Sequence, residues 1–168
     1  MVTIATYAEP HFDGVDRLWR EAFSDDAPRN TASIAIPQKL QFQPELFLVA
    51  LDEGEVAGSL MAGYDGHRGW ISRVAVKQSC RRRGIARAMF EEIEQRLAAL
   101  DCPKVNLQVI TSNAAVVPFY ERLGYLVEPR ISMVENEQRI RQAARNIRRF
   151  LESGVETLHN VVPLATRR

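Results

Sequence analysis

The chain has 168 residues, the length of one ordinary domain, and its 46% hydrophobic and 26% charged residues exclude a disordered tail or a fibrous repeat. Lys plus Arg number 22 and Asp plus Glu 21, a formal net charge of +1 that gives no bulk-charge argument for a polyanionic partner. Two cysteines, Cys80 and Cys102, are too few for a disulfide scaffold or a zinc knuckle, and no apolar run reaches the ~18 residues of a membrane helix. The opening Met1-Val2-Thr3-Ile4 carries no signal-peptide pattern, so the expectation is a soluble cytoplasmic protein. One imbalance survives the averaging: of the 22 basic residues 19 are Arg, and only Lys39, Lys77 and Lys104 are Lys.

Residues 2–7 form a short β-rich stretch, after which Phe12, Val15, Leu18, Trp19, Ala22 and Phe23 recur at helical spacing. Residues 24–44, with Asp25-Asp26, Pro28, Asn30, Pro37 and Pro44, read as a loop holding a short helix around 36–42. A strand over 47–51 reverses at Glu53-Gly54 into a second over 56–64, and Asp65-Gly66 turns the chain into a third over 70–76. Strands joined by such short turns are antiparallel. Gly84 then opens a helix with the apolar stripe Ala86, Met89, Phe90, Ile93, Leu97 and Leu100. Asp101-Cys102-Pro103 ends it, and Val105, Leu107 and Val109 alternate as a strand. Strand, helix and strand make a right-handed crossover, so these two strands are parallel neighbours. A helix over 114–123 closes on Gly124 as its C′ residue, with Pro118 a costly proline inside it. Residues 125–133 read as a last strand, kept to an edge by Pro129. The fold class is α/β (α+β): a mixed sheet, antiparallel first, with one parallel pair and helices on both faces.

The chemistry concentrates between the third strand and the helix after it, in Lys77-Gln78-Ser79-Cys80-Arg81-Arg82-Arg83-Gly84-Ile85-Ala86. The first N–H groups of a helix lack internal partners and its dipole is positive there, so a glycine in a basic turn at that end suits an anion. Neither GxxxxGK[ST] nor GxGxxG is present, which excludes a Walker loop and a dinucleotide fingerprint. What remains is Arg81-x-x-Gly84-x-Ala86.

That string, in a strand–turn–helix setting, resembles the pyrophosphate-binding motif of the GNAT superfamily of acyl-CoA-dependent N-acetyltransferases. A second landmark agrees in order and spacing: Asn113, then Phe119-Tyr120-Glu121-Arg122-Leu123-Gly124-Tyr125. Gly63-Tyr64-Asp65-Gly66-His67-Arg68-Gly69 and Cys102-Pro103-Lys104 make the look closest to the small bacterial YpeA-like members. The resemblance covers residues 2–128. Arg82 stands where the pattern carries its first glycine, and Gln78 where a proline is common.

The resemblance implies a domain over residues 1–133 in which the strand before the loop splays from its parallel neighbour and admits acetyl-CoA, with no metal. Backbone of Val74 and Val76 would pair with the pantetheine arm. Loop amides of Arg81, Arg82, Arg83, Gly84, Ile85 and Ala86 would hold the pyrophosphate. Among the three arginines Arg81 matches the motif, whereas Arg82 and Arg83 face solvent in the plain reading. Tyr120 would be the general acid toward the departing thiolate, a phenol near pKa ~10 being neutral at pH 7. Asn113 would touch the CoA arm or cap a helix. A strand-borne Glu serves some members as base, but residues 70–76 hold no carboxylate; Asp65 and His67 are the candidates, against a plain hairpin turn. A backbone N–H of Val74 or Val76 would meet the oxyanion. Cys80 lies near three arginines, yet no His neighbours it in sequence, which favours direct transfer over a covalent route.

Residues 134–168 form an extension. Ile140, Ala143, Ala144, Ile147 and Leu151 share one helical face, and Arg141, Arg145, Arg148 and Arg149 the other, with a stop near Ser153-Gly154 and a late strand or ordered tail over 155–164. The expectation is an N-acetyltransferase acting on a primary amine of a small molecule or peptide. Two alternatives stay open: a non-catalytic acyl-CoA sensor, and a nucleic-acid-directed protein using the extension's arginines. No membrane partner is expected, and a homodimer through the apolar helix face is open.

Overall fold

The computed structural model describes residues 1–133 and 137–152, which separate into two compact units, Met1–Leu126 and the residues after it. In the first unit the chain runs β1 (Val2–Thr6), α1 (Phe12–Ala22), α2 (Ala32–Leu40), β2 (Phe47–Asp52), β3 (Glu55–Tyr64), β4 (Gly69–Val76), α3 (Ile85–Ala98), β5 (Val105–Leu107) and α4 (Val117–Arg122). The five strands lie in chain order; three antiparallel pairings are followed by the parallel pair of β4 and β5. α3 is the crossover between the parallel strands, as the strand–helix–strand pattern requires.

Side-chain alternation divides the sheet into two cores. Leu48 and Ala50 of β2 face α3, joined by Leu60, Ile71, Ile85, Met89, Phe90, Ile93 and Leu97. Phe47 and Val49 face the other way, onto Val15, Leu18 and Trp19 of α1 and Ile36 of α2. β3 is buried over both faces, so its middle, Ala57 to Ala62, shows no alternation of apolar and charged residues and carries one polar side chain, Ser59. Burying each of these large side chains contributes about 1.5–3 kcal/mol, which holds helices to both sides of the sheet.

The register of β3 against β4 slips once. Ser59 pairs with Ala75 and Met61 with Ser72, so Arg73 and Val74 together oppose Leu60. The extra residue inverts the alternation, leaving Ile71 and Val74 on one face although they are three apart. Arg73 takes φ 54°, the left-handed region that bulges use and that costs a residue with a Cβ about 1–2 kcal/mol. The periodicity of residues 70–76 does not reveal this slip.

Three local expectations change. β5 is three residues long, and 108–110 lie beyond the strand. Pro118 sits in the first turn of α4, where its missing N–H would have had no partner, so it carries no helix-interior cost. A 3₁₀ segment, Thr111–Val116, supplies the preceding residues. Residues 125–133 form no strand: Pro129 removes a donor, and Leu126, Val127, Ile131 and Met133 lie exposed without a neighbouring ladder. Gly124 does close α4, with φ 95° and the paired bonds Gly124 N–H to Glu121 carbonyl (3.0 Å) and Tyr125 N–H to Tyr120 carbonyl (3.1 Å).

In the second unit α5 (Glu137–Glu152) carries the expected stripe, with Ile140, Ile147 and Leu151 exposed. The late strand or tail expected over 155–164 lies outside the described residues. Phe90, almost fully buried, holds the rings of Phe119, Tyr120 and Tyr125 at 5.7–6.2 Å between centroids. Replacing it by alanine is expected to cost about 3–5 kcal/mol in urea-unfolding experiments, by cavity formation beneath α4.

Candidate active site

The last parallel pair is Ile71 with Leu107; beyond it the two chains part. Residues 72–76 on one side and 108–110 on the other become walls of a cleft of about 1240 Å³. The β4–α3 loop closes one end through Cys80, Arg81, Arg82, Gly84, Ile85 and Ala86. Asn113, Val116, Phe119 and Tyr120 form a further wall, and residues 22–26 after α1 form another.

The loop end is built for negative charge. Ala88 N–H makes the first bond of α3, to the Gly84 carbonyl at 3.0 Å, so the amides of Ile85, Ala86 and Arg87 are the helix's free donors. Arg82 and Gly84 have φ of 61° and 78°, and alternation of left- and right-handed residues turns successive amides into a concavity that suits an anion. The space where a Gly84 side chain would stand is open, with no atom within 4 Å.

The three arginines do three different things. Arg81 lines the cleft and donates from Nε to the Val76 carbonyl at 3.2 Å, tying the loop to the end of β4. Arg82 also lines the cleft, and among the described residues its side chain has no hydrogen bond or ion pair. Arg83 does not line it: its Nη1 donates to Asp52 Oδ2 at 2.6 Å and anchors the loop to the end of β2. The hydrogen bond from Arg83 holds the Asp52 carboxyl below the usual carboxylate range. Of the two arginines expected to face solvent, Arg82 thus lines the cleft without a partner among the described residues, while Arg83 is a structural anchor.

Tyr120 is half-buried among Phe90, Phe119 and Tyr125, with centroids 5.2–6.3 Å away. Burial pushes its phenol above the ordinary tyrosine value. Tyr125 does not compete for that role, because its hydroxyl donates to Glu94 Oε1 at 2.8 Å and fastens α4 to α3. Asn113 is exposed at the cleft and caps no helix; its backbone N–H bonds the Ile110 carbonyl at 2.8 Å. Val74 and Val76 line the cleft on the strand beyond the parting point.

The two candidate bases fall elsewhere. Asp65 Oδ1 accepts the backbone N–H groups of His67 (2.8 Å) and Arg68 (2.6 Å), and these bonds hold its carboxyl below the usual range. Neither Asp65 nor His67 lines the cleft; they make the hairpin turn. The carboxylates that do line it are Asp25 and Asp26, which sit in a stretch legible from sequence only as a loop. Cys80 lines the cleft as well, buried and free, but no histidine lies beside it there. Among the described residues no group of three or more His, Cys, Asp or Glu side chains is arranged to hold a metal, and no helix is long and apolar enough to cross a membrane.

A parallel pair parted beside a helix N-terminus, with arginines and a half-buried phenol in the walls of the cleft, is the geometry of this α/β fold. Residues 12–125 match the model of the acetyltransferase (GNAT) family, and the chain belongs to that family; it is an acyltransferase. An acetyltransferase of Sodalis glossinidius is 40% identical over 131 residues, 78% of this chain and 92% of that protein. One from Pectobacterium atrosepticum is 42% identical over 122 residues, 73% and 86% of the two chains. Among solved structures, Ard1 from Thermoplasma volcanium superposes with a TM-score of 0.69 at 23% identity, covering 76% of this chain and 84% of its own. The aminoglycoside N-acetyltransferase AAC(6')-Iy, bound to a CoA bisubstrate analogue, gives 0.68 at 14% identity, covering 82% and 99%; both likenesses concern the fold.

The left-handed φ of Gly84 makes a direct prediction. Gly84→Ala meets no atom, so its cost is conformational, about 1–2 kcal/mol in urea unfolding. Gly63→Ala, at a strand position with ordinary φ and its nearest atom 3.6 Å away, is expected to lose none of that.

Proposed function

We propose that the chain transfers the acetyl group of acetyl-CoA to a primary amine by direct attack in a ternary complex. The observation that carries the reading is the parting of β4 and β5 at Ile71 and Leu107, which leaves strand backbone without a ladder partner inside a cleft that also holds Tyr120. Acetyl-CoA fits the donor set. Its amide-bearing arm suits the open edge at Val74 and the N–H of Val76, and its pyrophosphate suits the loop amides of residues 82–86, the Arg81 N–H being bonded to the Gln78 carbonyl at 3.3 Å. The open space at Gly84 and the uncommitted Arg82 guanidinium favour a large anion over a small one. Asn113 and Arg87, both in the cleft wall, add polar contacts for the same ligand.

The reaction forms a C–N bond and breaks a C–S bond. The neutral amine nitrogen attacks the thioester carbonyl, and the resulting oxyanion is met by a backbone N–H of Val74 or Val76. Collapse expels the CoA sulfur, whose conjugate acid has a pKa near ~8.5, and the Tyr120 hydroxyl delivers its proton. Burial keeps Tyr120 protonated well past neutral pH, the state an acid requires. The new amide nitrogen sheds its proton to water at the cleft mouth. Cys80 takes no part: the cleft brings it no histidine to act as base, so a covalent acetyl-cysteine route lacks its activator.

Tyr120→Phe is expected to lower kcat about 10²- to 10⁴-fold while acetyl-CoA affinity stays within twofold. Free-thiol release over an amine panel and calorimetric acetyl-CoA binding check the two halves. Undiminished turnover by the variant removes the acid role. Tight acetyl-CoA binding with no thiol release for any amine replaces the transferase with a sensor. The acid form of Tyr120 is lost only as pH rises through its raised pKa, so kcat is expected to show no fall from this group below about pH 10.

A further inference from the structure

Arg73 is the one residue of β4 that stands both in left-handed backbone and in the cleft wall. Its side chain is only 14% exposed, and the guanidinium lies 4.8 Å from the Phe23 ring centroid and 5.3 Å from that of Trp19 and donates from Nη1 to Asp26 Oδ2 at 2.5 Å. Burial raises the Asp26 carboxyl, but the hydrogen bonds from Arg73 and Asn30 and the charge of Arg73 together outweigh it and hold it below the ordinary range. The main chain of the same residue is gripped from the same helix: Trp19 Nε1 donates to Ser59 Oγ at 2.8 Å, and the buried Ser59 hydroxyl donates to the Arg73 carbonyl at 3.1 Å.

Stability alone does not explain an arginine here. Glycine fills a left-handed bulge position without strain, and an apolar side chain against Trp19 and Phe23 needs no charge taken out of water. Arginine adds what neither offers, a planar face for two rings and a fork for a carboxylate. Through them it joins two parts of the cleft that are 47 residues apart in sequence. One is the bulge just past Ile71, where β4 has parted from β5; the other is the loop after α1, whose Phe23, Ser24, Asp25 and Asp26 line the cleft.

We propose that Arg73 is a positioning residue for the acceptor side of the reaction, a stacked and ion-paired latch that holds the loop after α1 against the β4 bulge so that the wall meeting the incoming amine is preformed. This rests on the transferase reading. With Asp26 engaged by the latch, Asp25 is the cleft carboxylate left to draw an ammonium group. Acetyl-CoA needs the loop at residues 81–86 and the strand edge at Val74 and Val76; the Arg73 side chain bonds neither, its hydrogen bond and ring contacts going to Asp26, Phe23 and Trp19.

The test combines kinetics with amide hydrogen exchange on the full chain. Arg73→Ala, Arg73→Lys, Asp26→Asn and the double variant Arg73→Ala/Asp26→Asn are compared, with spermidine and a hexapeptide bearing a free N-terminus as amine probes. Arg73→Ala and Asp26→Asn are each expected to raise the acceptor KM roughly tenfold, with the double variant no worse than the weaker single, since both remove one interaction. Acetyl-CoA affinity stays within twofold. The amides of Asp26, Asn30 and Thr31, which bond within the loop, are expected to exchange roughly tenfold faster. Arg73→Lys, which keeps the charge without the planar face and fork, is expected to retain the raised KM. Unchanged exchange and KM in Arg73→Ala overturn the latch, as does a lysine variant indistinguishable from wild type. Parallel loss of acetyl-CoA affinity and acceptor binding overturns it in favour of a general structural role. A wild-type protein that releases no thiol with either probe counts against the transferase reading, while the exchange measurement, which needs no turnover, still decides the latch.

Discussion

A single extra residue in β4 shapes this molecule. Regular pairing would keep β4 flush with β3 on one side and β5 on the other, and the sheet would be closed and inert. The slip at Arg73 and Val74 inverts the side-chain alternation and bends the strand, and β5 stops following it after Leu107. Backbone groups that a sheet normally spends on its own ladder are thereby left facing a cleft. The bulge is held by packing from both layers: Val74 rests on the α3 core, while the Arg73 carbonyl and guanidinium are held from α1. Local strain at such a site is sustained because the surrounding contacts determine it several times over.

Charge follows the same logic of local commitment. A net charge of +1 describes the whole chain and says little about the cleft, whose lining includes Arg73, Arg81, Arg82, Arg87 and Arg122 against two aspartates. Two of these arginines are committed elsewhere: Arg81 is tied to the Val76 carbonyl and Arg73 to Asp26, while Arg83, outside the cleft, is tied to Asp52; each fixes a segment of wall. Arg82 is left uncommitted beside the free amides of α3. Fixing wall segments with such bonds while a guanidinium and a row of amides stay open is a way to meet a large anion without reorganising the site.

Much of this was legible in the residues. The stripe Met89, Phe90, Ile93, Leu97 marks α3, and Gly124 closes α4 in the way its position suggested. The turns at Glu53-Gly54 and Asp65-Gly66 place the hairpins, and the Arg81 to Ala86 string lies at a helix start inside the cleft wall. These features depend on neighbours within a few positions, which sequence spacing records. Pro118 misled for an equally local reason: α4 begins at Val117 rather than 114, which turns a costly proline into a neutral one. Residues 125–133 had the composition of a strand, but a strand is made by pairing, and among the described residues this stretch pairs with none.

By itself, then, the sequence determined the kinds of elements, their order, the antiparallel-then-parallel sheet and the loop that faces an anion, because apolar period, turn chemistry and crossover handedness are all short-range or topological constraints. Only the tertiary structure decided which arginine faces the cleft, that Asp25 and Asp26 rather than Asp65 and His67 line it, and that Arg73 bridges its two sides. Those outcomes depend on a one-residue register slip and on contacts between segments as many as 47 residues apart. Packing energy summed over two cores sets both, and no window of neighbouring residues contains that sum.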